Sequence, residues 1–390
     1  MASRESDLRM WLLNGSYSQY QRATQRWWSG IEAAYLRQEH PRRPAVYFVS
    51  SNTHALTNLV GGYARSHRDR IIDFAVSRDH EGLAAPLRAA LDAGDEAAVD
   101  NLTYYLLRAF LHDQHLGGDR DRDEVQRFDE EAGVRSLESP GRLDVNAQLI
   151  EIARLIPERL DPRVRVPGID RLRHSDAVII NIDYPLGMAA YHHLSRLGQG
   201  IGELRGAYVM GKAATLNGRV GDVMISSVVH DEHSKNTYLF QNCFCGSDVQ
   251  PHLRYGTVFD NQKALTVRGP FLQNRSYMSV FYKEGYTVLE MEAGPYLSAL
   301  FEIVNPRRHP RDEVVHLSGA SFGGAQQRGA PSIDLGILHY ASDTPYSRRQ
   351  SLLSKSLSYF GVDSTYGCSI AIVRRILQRE IARLDSGLDG

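Results

Sequence analysis

Three short segments hold the residue types from which a binding or catalytic site is most readily built. Leu289-Glu290-Met291-Glu292-Ala293-Gly294 sets two carboxylates around a methionine at the start of an apolar run. A carboxylate accepts two hydrogen bonds from a vicinal diol, and a thioether offers a soft apolar surface to a sugar or base ring. Tyr340-Ala341-Ser342-Asp343-Thr344-Pro345 ends another apolar run with an acid in a loop. Gly211-Lys212, after Val209-Met210, joins a residue that lets backbone approach a ligand to a cation beside it, a corner suited to a phosphate or carboxylate.

Other polar groupings have plainer readings. His230-Asp231-Glu232-His233 lacks the helical i, i+4 histidine pair of a zinc protease and reads as a polar strand end, so no metal is assigned. Cys243-Phe244-Cys245 has one intervening residue and no second pair, which reads as two half-buried thiols rather than a zinc knuckle. Of Trp27-Trp28, one is expected in a core and the other at an interface. Arg348-Arg349 reads as the solvated start of a helix, with anion binding as the alternative.

The elements that must position these segments are legible in outline. Leu12 to Tyr35 has helical spacing, Ala45-Val46-Tyr47-Phe48-Val49 reads as a buried strand feeding Ser50-Ser51-Asn52, and residues 54 to 160 read as helical. The Ile150, Ile152, Leu155 and Ile156 stripe falls in that helical stretch. Within it Asp119 to Glu131, of mixed charge, reads as a solvated loop or lid. From Asp176 the pattern changes. Ala177 to Ile182 is a continuous apolar strand followed by Asp183-Tyr184-Pro185-Leu186-Gly187 and a helix, the pieces of a βα unit. Gly206 to Met210, Gly221 to Ile225, Thr287 to Leu289 and Leu335 to His339 are further strands, with helices after Met291 and over Cys368 to Ala382. This alternation predicts an α/β fold with a mixed, mostly parallel sheet covered on both faces, where ligands collect at the carboxyl ends of strands.

Composition bounds the function. With 45 Lys+Arg against 46 Asp+Glu, the chain has no bulk basic field of the kind that drives nucleic-acid binding. Three cysteines form no disulfide framework, and no apolar run is long enough to span a membrane, so the chain reads as a cytoplasmic protein with no membrane or nucleic-acid partner.

Taken in order, Gly206 through Ile225, Glu290-Met291-Glu292 and Ser342-Asp343 resemble the nucleoside phosphorylase and nucleosidase superfamily. That family has a strand and glycine-rich turn before a Gly-Asp-Val/Ile-Val segment, then a Val-Glu-Met-Glu-like element, then an Ile-Ser-Asp-like element. The resemblance covers about residues 175 to 380. It implies a three-layer α/β core over 175–390, with residues 1–40 as a helical arm and 41–174 as a first strand plus a mainly helical insertion or cap. It also implies roles. Glu292 matches the acid that grips the ribose hydroxyls, Met291 the residue against the sugar, Glu290 lies nearer the base, and Asp343 matches the acid that protonates the leaving purine. Phe259 falls where the family contacts the base, with ordinary core packing as the other reading.

Two departures from the family bear on mechanism. Where nucleosidases have a water-activating carboxylate after the first strand, this chain has Ser50-Ser51-Asn52, and Asp183 is the nearest candidate for that role. Lys212 replaces a small residue, which leaves open a phosphate co-substrate, a 5′-phosphate on the substrate, or a structural salt bridge. Asn305 to Ala330 is an insertion that reads as a lid or an oligomer contact. The expected activity is cleavage of the base–ribose bond of a purine nucleoside or nucleotide, by hydrolysis in preference to phosphorolysis, with no cofactor and in a homo-oligomer. The alternatives are a non-catalytic nucleoside-binding or regulatory protein and a ribosyl-transferring biosynthetic enzyme.

Overall fold

The computed structural model describes residues 17–36, 43–79, 82–113, 118–140, 143, 145–269, 275–317, 333–344 and 359–387. Arg348-Arg349 and residues 318–330 of the insertion lie outside these residues. In chain order the elements are α1 (Tyr17–Leu36), β1 (Ala45–Ser51), α2 (Ala55–Gly61), α3 (Tyr63–Ser66), α4 (Arg68–Arg78), α5 (Ala84–Asp92), α6 (Glu96–His112), α7 (Gly118–Glu131), β2 (Val134–Leu137) and β3 (Ala147–Glu151). Then come β4 (Ala177–Asp183), α8 (Ala189–Gly200), β5 (Glu203–Thr215), β6 (Val223–Asp231), β7 (Thr237–Phe240), α9 (Gly246–Val249) and β8 (Val258–Thr266). The chain continues through α10 (Arg275–Lys283), β9 (Val288–Glu290), α11 (Ala293–Val304), β10 (Val314–Leu317), β11 (Asp334–Asp343) and α12 (Tyr359–Asp385).

All eleven strands join one mixed sheet, ordered β10-β7-β6-β8-β9-β5-β1-β4-β3-β2, with β11 paired to both β5 and β6. Six of its eleven pairings among the described residues are parallel. Because β4, β1, β5 and β11 run parallel side by side, their carboxyl ends share one edge. Strand β1 shows why its sequence is apolar without alternation. Tyr47 and Val49 enter a core with α2, α4, α6 and α12, whereas Val46 and Phe48 enter another with α1, α8 and α11. Each face of the strand is thus buried, as a central parallel strand requires.

Several sequence expectations are corrected. Asp119 to Glu131 lies in helix α7 rather than a loop. Phe128 packs edge-on against Tyr63, with the Arg159 guanidinium 3.9 Å from its ring centre, and this inner face secures a helix whose mixed charges line its outer face. The isoleucine stripe near 150 is strand β3 followed by a turn at Ile152–Arg154. An apolar run that short fits either period, and antiparallel pairing with β4 decides it. Gly211 to Thr215 continue strand β5, and Tyr340 to Asp343 continue β11, so neither segment is a loop. Trp27 and Trp28 are both buried in one core, with the Trp27 indole donating to the Val145 carbonyl at 3.0 Å. Cys245 is exposed rather than half-buried.

Candidate functional site

The shared carboxyl edge brings several of the singled-out residues together. Ser51 at the end of β1 is in register with Asp183 at the end of β4. One carboxylate oxygen of Asp183 accepts from both the amide and the hydroxyl of Thr53, each at 3.0 Å. Asn52 turns its side-chain oxygen to the amides of His54 and Ala55, at 3.2 and 2.7 Å, which secures the entry to α2. Asn52 therefore serves backbone turning, whereas the Ser50 hydroxyl accepts from Tyr296 and the Ser51 hydroxyl donates to the Asn181 side-chain oxygen, each at 2.7 Å.

Glu290, Met291 and Glu292 occupy the turn from β9 into α11, where they divide into different roles. Glu290 is buried, and its carboxylate accepts from the amides of Glu292 and Ala293 at 2.7 and 2.6 Å and from the Thr266 hydroxyl. Burial raises its pKa to about 6 against the opposing pull of those donors. It thus caps a helix N-terminus whose amides lack internal partners. Glu292 is half-buried and is raised to about 8, first by burial and then by the charge of Glu290, while the backbone of Met291 and of Gly187 opposes the shift. The Gly187 contact turns Glu292 toward the loop after β4. Met291 packs beside a small apolar group formed by Ala214, Leu265 and Leu289.

Asp343 ends β11, where it pairs with Ala214 of β5, and the opposite edge of Ala214 pairs with Leu289 of β9. Its carboxyl is buried, one oxygen has no hydrogen-bond partner among the described residues, and burial raises its pKa against the Thr344 amide. His339, which sequence reasoning did not single out, lies on the same strand with its ring 3.8 Å from Glu290 and is driven down to about 4 by burial. A neutral imidazole results, so the contact is no ion pair at neutral pH. His339 was concealed by its place in an apolar run. At Gly211, opposite His339, a Cβ would meet only ordinary contact, 3.7 Å from the histidine ring.

A cavity of 1220 Å³ opens between this edge and the helices inserted after β1. Thr53, His54, Asp183, Tyr184, Lys212 and Tyr340 form its strand side, and α6 and α7 contribute Tyr105, Arg108, Arg122 and Asp129. The hydroxyls of Tyr184 and Tyr340 lie 3.4 Å apart. Burial lowers the pKa of Lys212. His54 falls to about 4 through burial and then through the positive charges of Arg108 and Lys212. Asp129 rises to about 7 by burial, opposed by Arg159. In the sequence, Tyr105 and Arg108 fall within a stretch read only as helical, and Arg122 and Asp129 within the segment read as a solvated loop or lid. Of the expected site residues, Asp183 and Lys212 line the cavity, whereas Gly211, Glu290, Met291, Glu292 and Asp343 lie behind or beside it at the strand ends. Phe259 does not line the cavity, and its ring lies beside the Thr215–Gly218 turn that follows Ala214. It stands at the opening end of β8, in register with Met224, seven residues before the Thr266 that serves Glu290.

His230 bonds to Thr237 and Asp231 closes a tight turn through Ser234, and among the described residues no three His, Cys, Asp or Glu side chains group as metal ligands. No helix among the described residues is long and apolar enough to cross a membrane.

Among solved structures, the chain is similar to a 5′-methylthioadenosine/S-adenosylhomocysteine nucleosidase from Neisseria meningitidis in complex with methylthio-immucillin-A. The identity is 11% and the TM-score 0.39, over 65% of this chain and 95% of that one. It is also similar to such a nucleosidase from Colwellia psychrerythraea in complex with adenine, at 10% identity and a TM-score of 0.36 over 65% and 88% of the two chains. A methylthioadenosine phosphorylase from an Antarctic soil metagenomic library is similar at 10% identity and a TM-score of 0.36, over 65% and 80%. No curated protein sequence matches the chain. A sequence profile described as a family of unknown function (DUF6909) matches residues 1–378, and the chain belongs to that family.

Proposed function

We propose that the protein cleaves the N-glycosidic bond of a purine nucleoside or nucleotide at the strand edge that holds Glu292 and Asp343. One observation carries this reading: Ala214 pairs on one edge with Leu289 and on the other with Asp343. The acid-bearing turn after β9 and the acid ending β11 therefore flank a single residue of β5. Glycosidic cleavage develops positive charge on the sugar and negative charge on the leaving base, so it needs a group to hold the diol and an acid to protonate the base. Glu292 suits the first role, with Met291 against the sugar. Asp343 suits the second, because burial favours its protonated form. Glu290, committed to the α11 N-terminus, acts by holding Glu292 in position.

In this reading Asp183 orients the attacking water from the end of β4, and hydrolysis is preferred to phosphorolysis. The test is release of free base from a panel of purine nucleosides and nucleotides, with and without phosphate. Release without phosphate supports hydrolysis, and release only with phosphate supports phosphorolysis. Absence of release throughout the panel defeats the glycosidase reading.

A second reading, a nucleoside-binding protein without turnover, is favoured by one detail. One Asp183 oxygen already accepts twice from Thr53, which takes up acceptor positions that an attacking water would need. Nucleoside binding without base release would select it.

A further inference from the structure

We propose that Tyr296 is a positioning residue for Glu292, and that its bond to Ser50 gives the site a preference for ribose over 2′-deoxyribose. The proposal deepens the nucleoside reading and rests on the assignment of Glu292 to the sugar diol. The sheet has a gap at this point. One edge of β5 pairs with β1 as far as Val209, which is in register with Ser50, and resumes at Ala214, opposite Leu289 of β9. Among the described residues no strand pairs with Met210 to Ala213 on that edge, since their register partners all lie on β11 at the other edge. The carboxyl ends of β1 and β9 therefore face each other across an opening four residues long. The chain leaving β9 carries Glu292 into α11, and α11 packs on β1, where Phe48 meets the Tyr296 ring edge-on with 5.5 Å between centres.

Between these elements stands a polar pair that packing alone does not require. Helix α11 is mostly apolar and β1 is apolar from Ala45 to Val49, yet the Tyr296 hydroxyl donates to the Ser50 hydroxyl at 2.7 Å in the interior between them. Tyr296 and Ser50 are 2% and 1% exposed. Replacing both members of a buried polar pair by apolar groups of the same shape is close to neutral for stability, so such a pair serves to fix one geometry. The geometry it fixes is that of Glu292. The Tyr296 amide donates to the Glu292 carbonyl at 3.1 Å, and residues one helical turn apart present neighbouring side chains. Burial raises the pKa of the phenol, the Ser50 bond opposes this, and the Glu292 charge adds to it, which puts the two groups within electrostatic reach. Other ties hold α11 to the far side of the opening. The Gly294 amide donates to the Thr266 hydroxyl of β8 at 2.9 Å, and the Ser298 hydroxyl bonds to that of Tyr238 on β7 at 2.5 Å. Tyr296 ties the helix to β1, so Glu292, which also accepts from the Gly187 backbone after β4, is fixed from both sides.

Titration calorimetry of the full chain above pH 8, where Glu292 is ionised, compares adenosine with 2′-deoxyadenosine. A hydrogen bond to a charged group contributes roughly ten- to a hundredfold in affinity, so wild type should prefer adenosine at least about tenfold, and Glu292→Ala should lose that preference. Tyr296→Phe keeps the ring and removes the tie, and Ser50→Ala removes the same tie from its other end. Each should cut the preference to under about threefold, while binding of 2′-deoxyadenosine stays within about twofold of wild type. Either variant alone decides the question if the other does not fold. Equal weakening of both ligands marks a merely structural role and overturns the proposal. A full preference kept in Tyr296→Phe and Ser50→Ala, but lost in Glu292→Ala, overturns it as well and leaves the nucleoside reading standing. A preference kept in Glu292→Ala, or no binding of either nucleoside by wild type, overturns that reading and the proposal with it.

Discussion

Thr53 gives both its amide and its hydroxyl to one carboxylate oxygen of Asp183, and so ties the loop after β1 to the end of β4. Hydrogen bonds to a charged group contribute about 1.5–3 kcal/mol each, and neutral ones about 1. Asp183→Ala should therefore lower stability by about 1–3 kcal/mol, while Asp183→Asn, which keeps an acceptor, should stay within about 1 kcal/mol of wild type. Urea denaturation measures both. If Asp183→Asn keeps its stability and loses base release, the residue acts chemically. If the two substitutions destabilise equally, the carboxylate charge itself holds the loop.

Gly294, in the first turn of α11, has no room for a side chain. A Cβ there would lie 2.5 Å from the Asp231 Cβ and 2.8 Å from the Thr266 hydroxyl. Overpacking of this kind costs about 1–3 kcal/mol, and because α11 carries Glu292 at its start, Gly294→Ala should also weaken nucleoside binding. Gly211→Ala is the contrasting case, since its Cβ would meet only the His339 ring at 3.7 Å. It should melt within a few degrees of wild type, which thermal denaturation of the two variants will show.

The pKa of Glu292 gives a pH signature. The folded protein holds its proton up to about 8, whereas the unfolded chain releases it near the ordinary value of 4.5. Between those values the native state binds the extra proton, so this group's contribution to stability falls as pH rises from about 4.5 to about 8 and is flat above. The slope is at most about 1.4 kcal/mol per pH unit. Glu292→Gln should remove that slope in pH-dependent melts. A diol donates to the ionised form, so nucleoside affinity should rise with pH up to about 8 in wild type and stay flat in the variant. A wild-type affinity that falls over the same range would refute the assigned role.

How much of this was legible in the sequence varies with the source of the signal. Strands β1, β4 and β11 are continuous apolar runs because they are buried on both faces, and they were visible as such. Their extent was not. Lys212 and Asp343 looked like loop residues because polar side chains at a strand end lower the apolar pattern, although register with neighbouring strands continues through them. Helix α7 was concealed for the opposite reason, since its charged outer face outweighs the two or three residues that anchor it. The turn holding Glu290 and Glu292 was found from its residue types, but no spacing rule tells which carboxylate caps α11 and which faces the loop at Gly187. That division depends on Thr266, 24 residues earlier in the chain. The cavity depends on residues as distant as His54, Arg108 and Lys212, which only the folded chain brings together.

The most direct test of the central claim is single-turnover base release by wild type and Asp343→Asn at saturating purine nucleoside or nucleotide, with binding checked separately by calorimetry. Loss of a positioned general acid costs about 10²- to 10⁴-fold in rate, so the variant should bind its ligand and release base at least about a hundredfold more slowly. Release by Asp343→Asn at the wild-type rate would contradict the account.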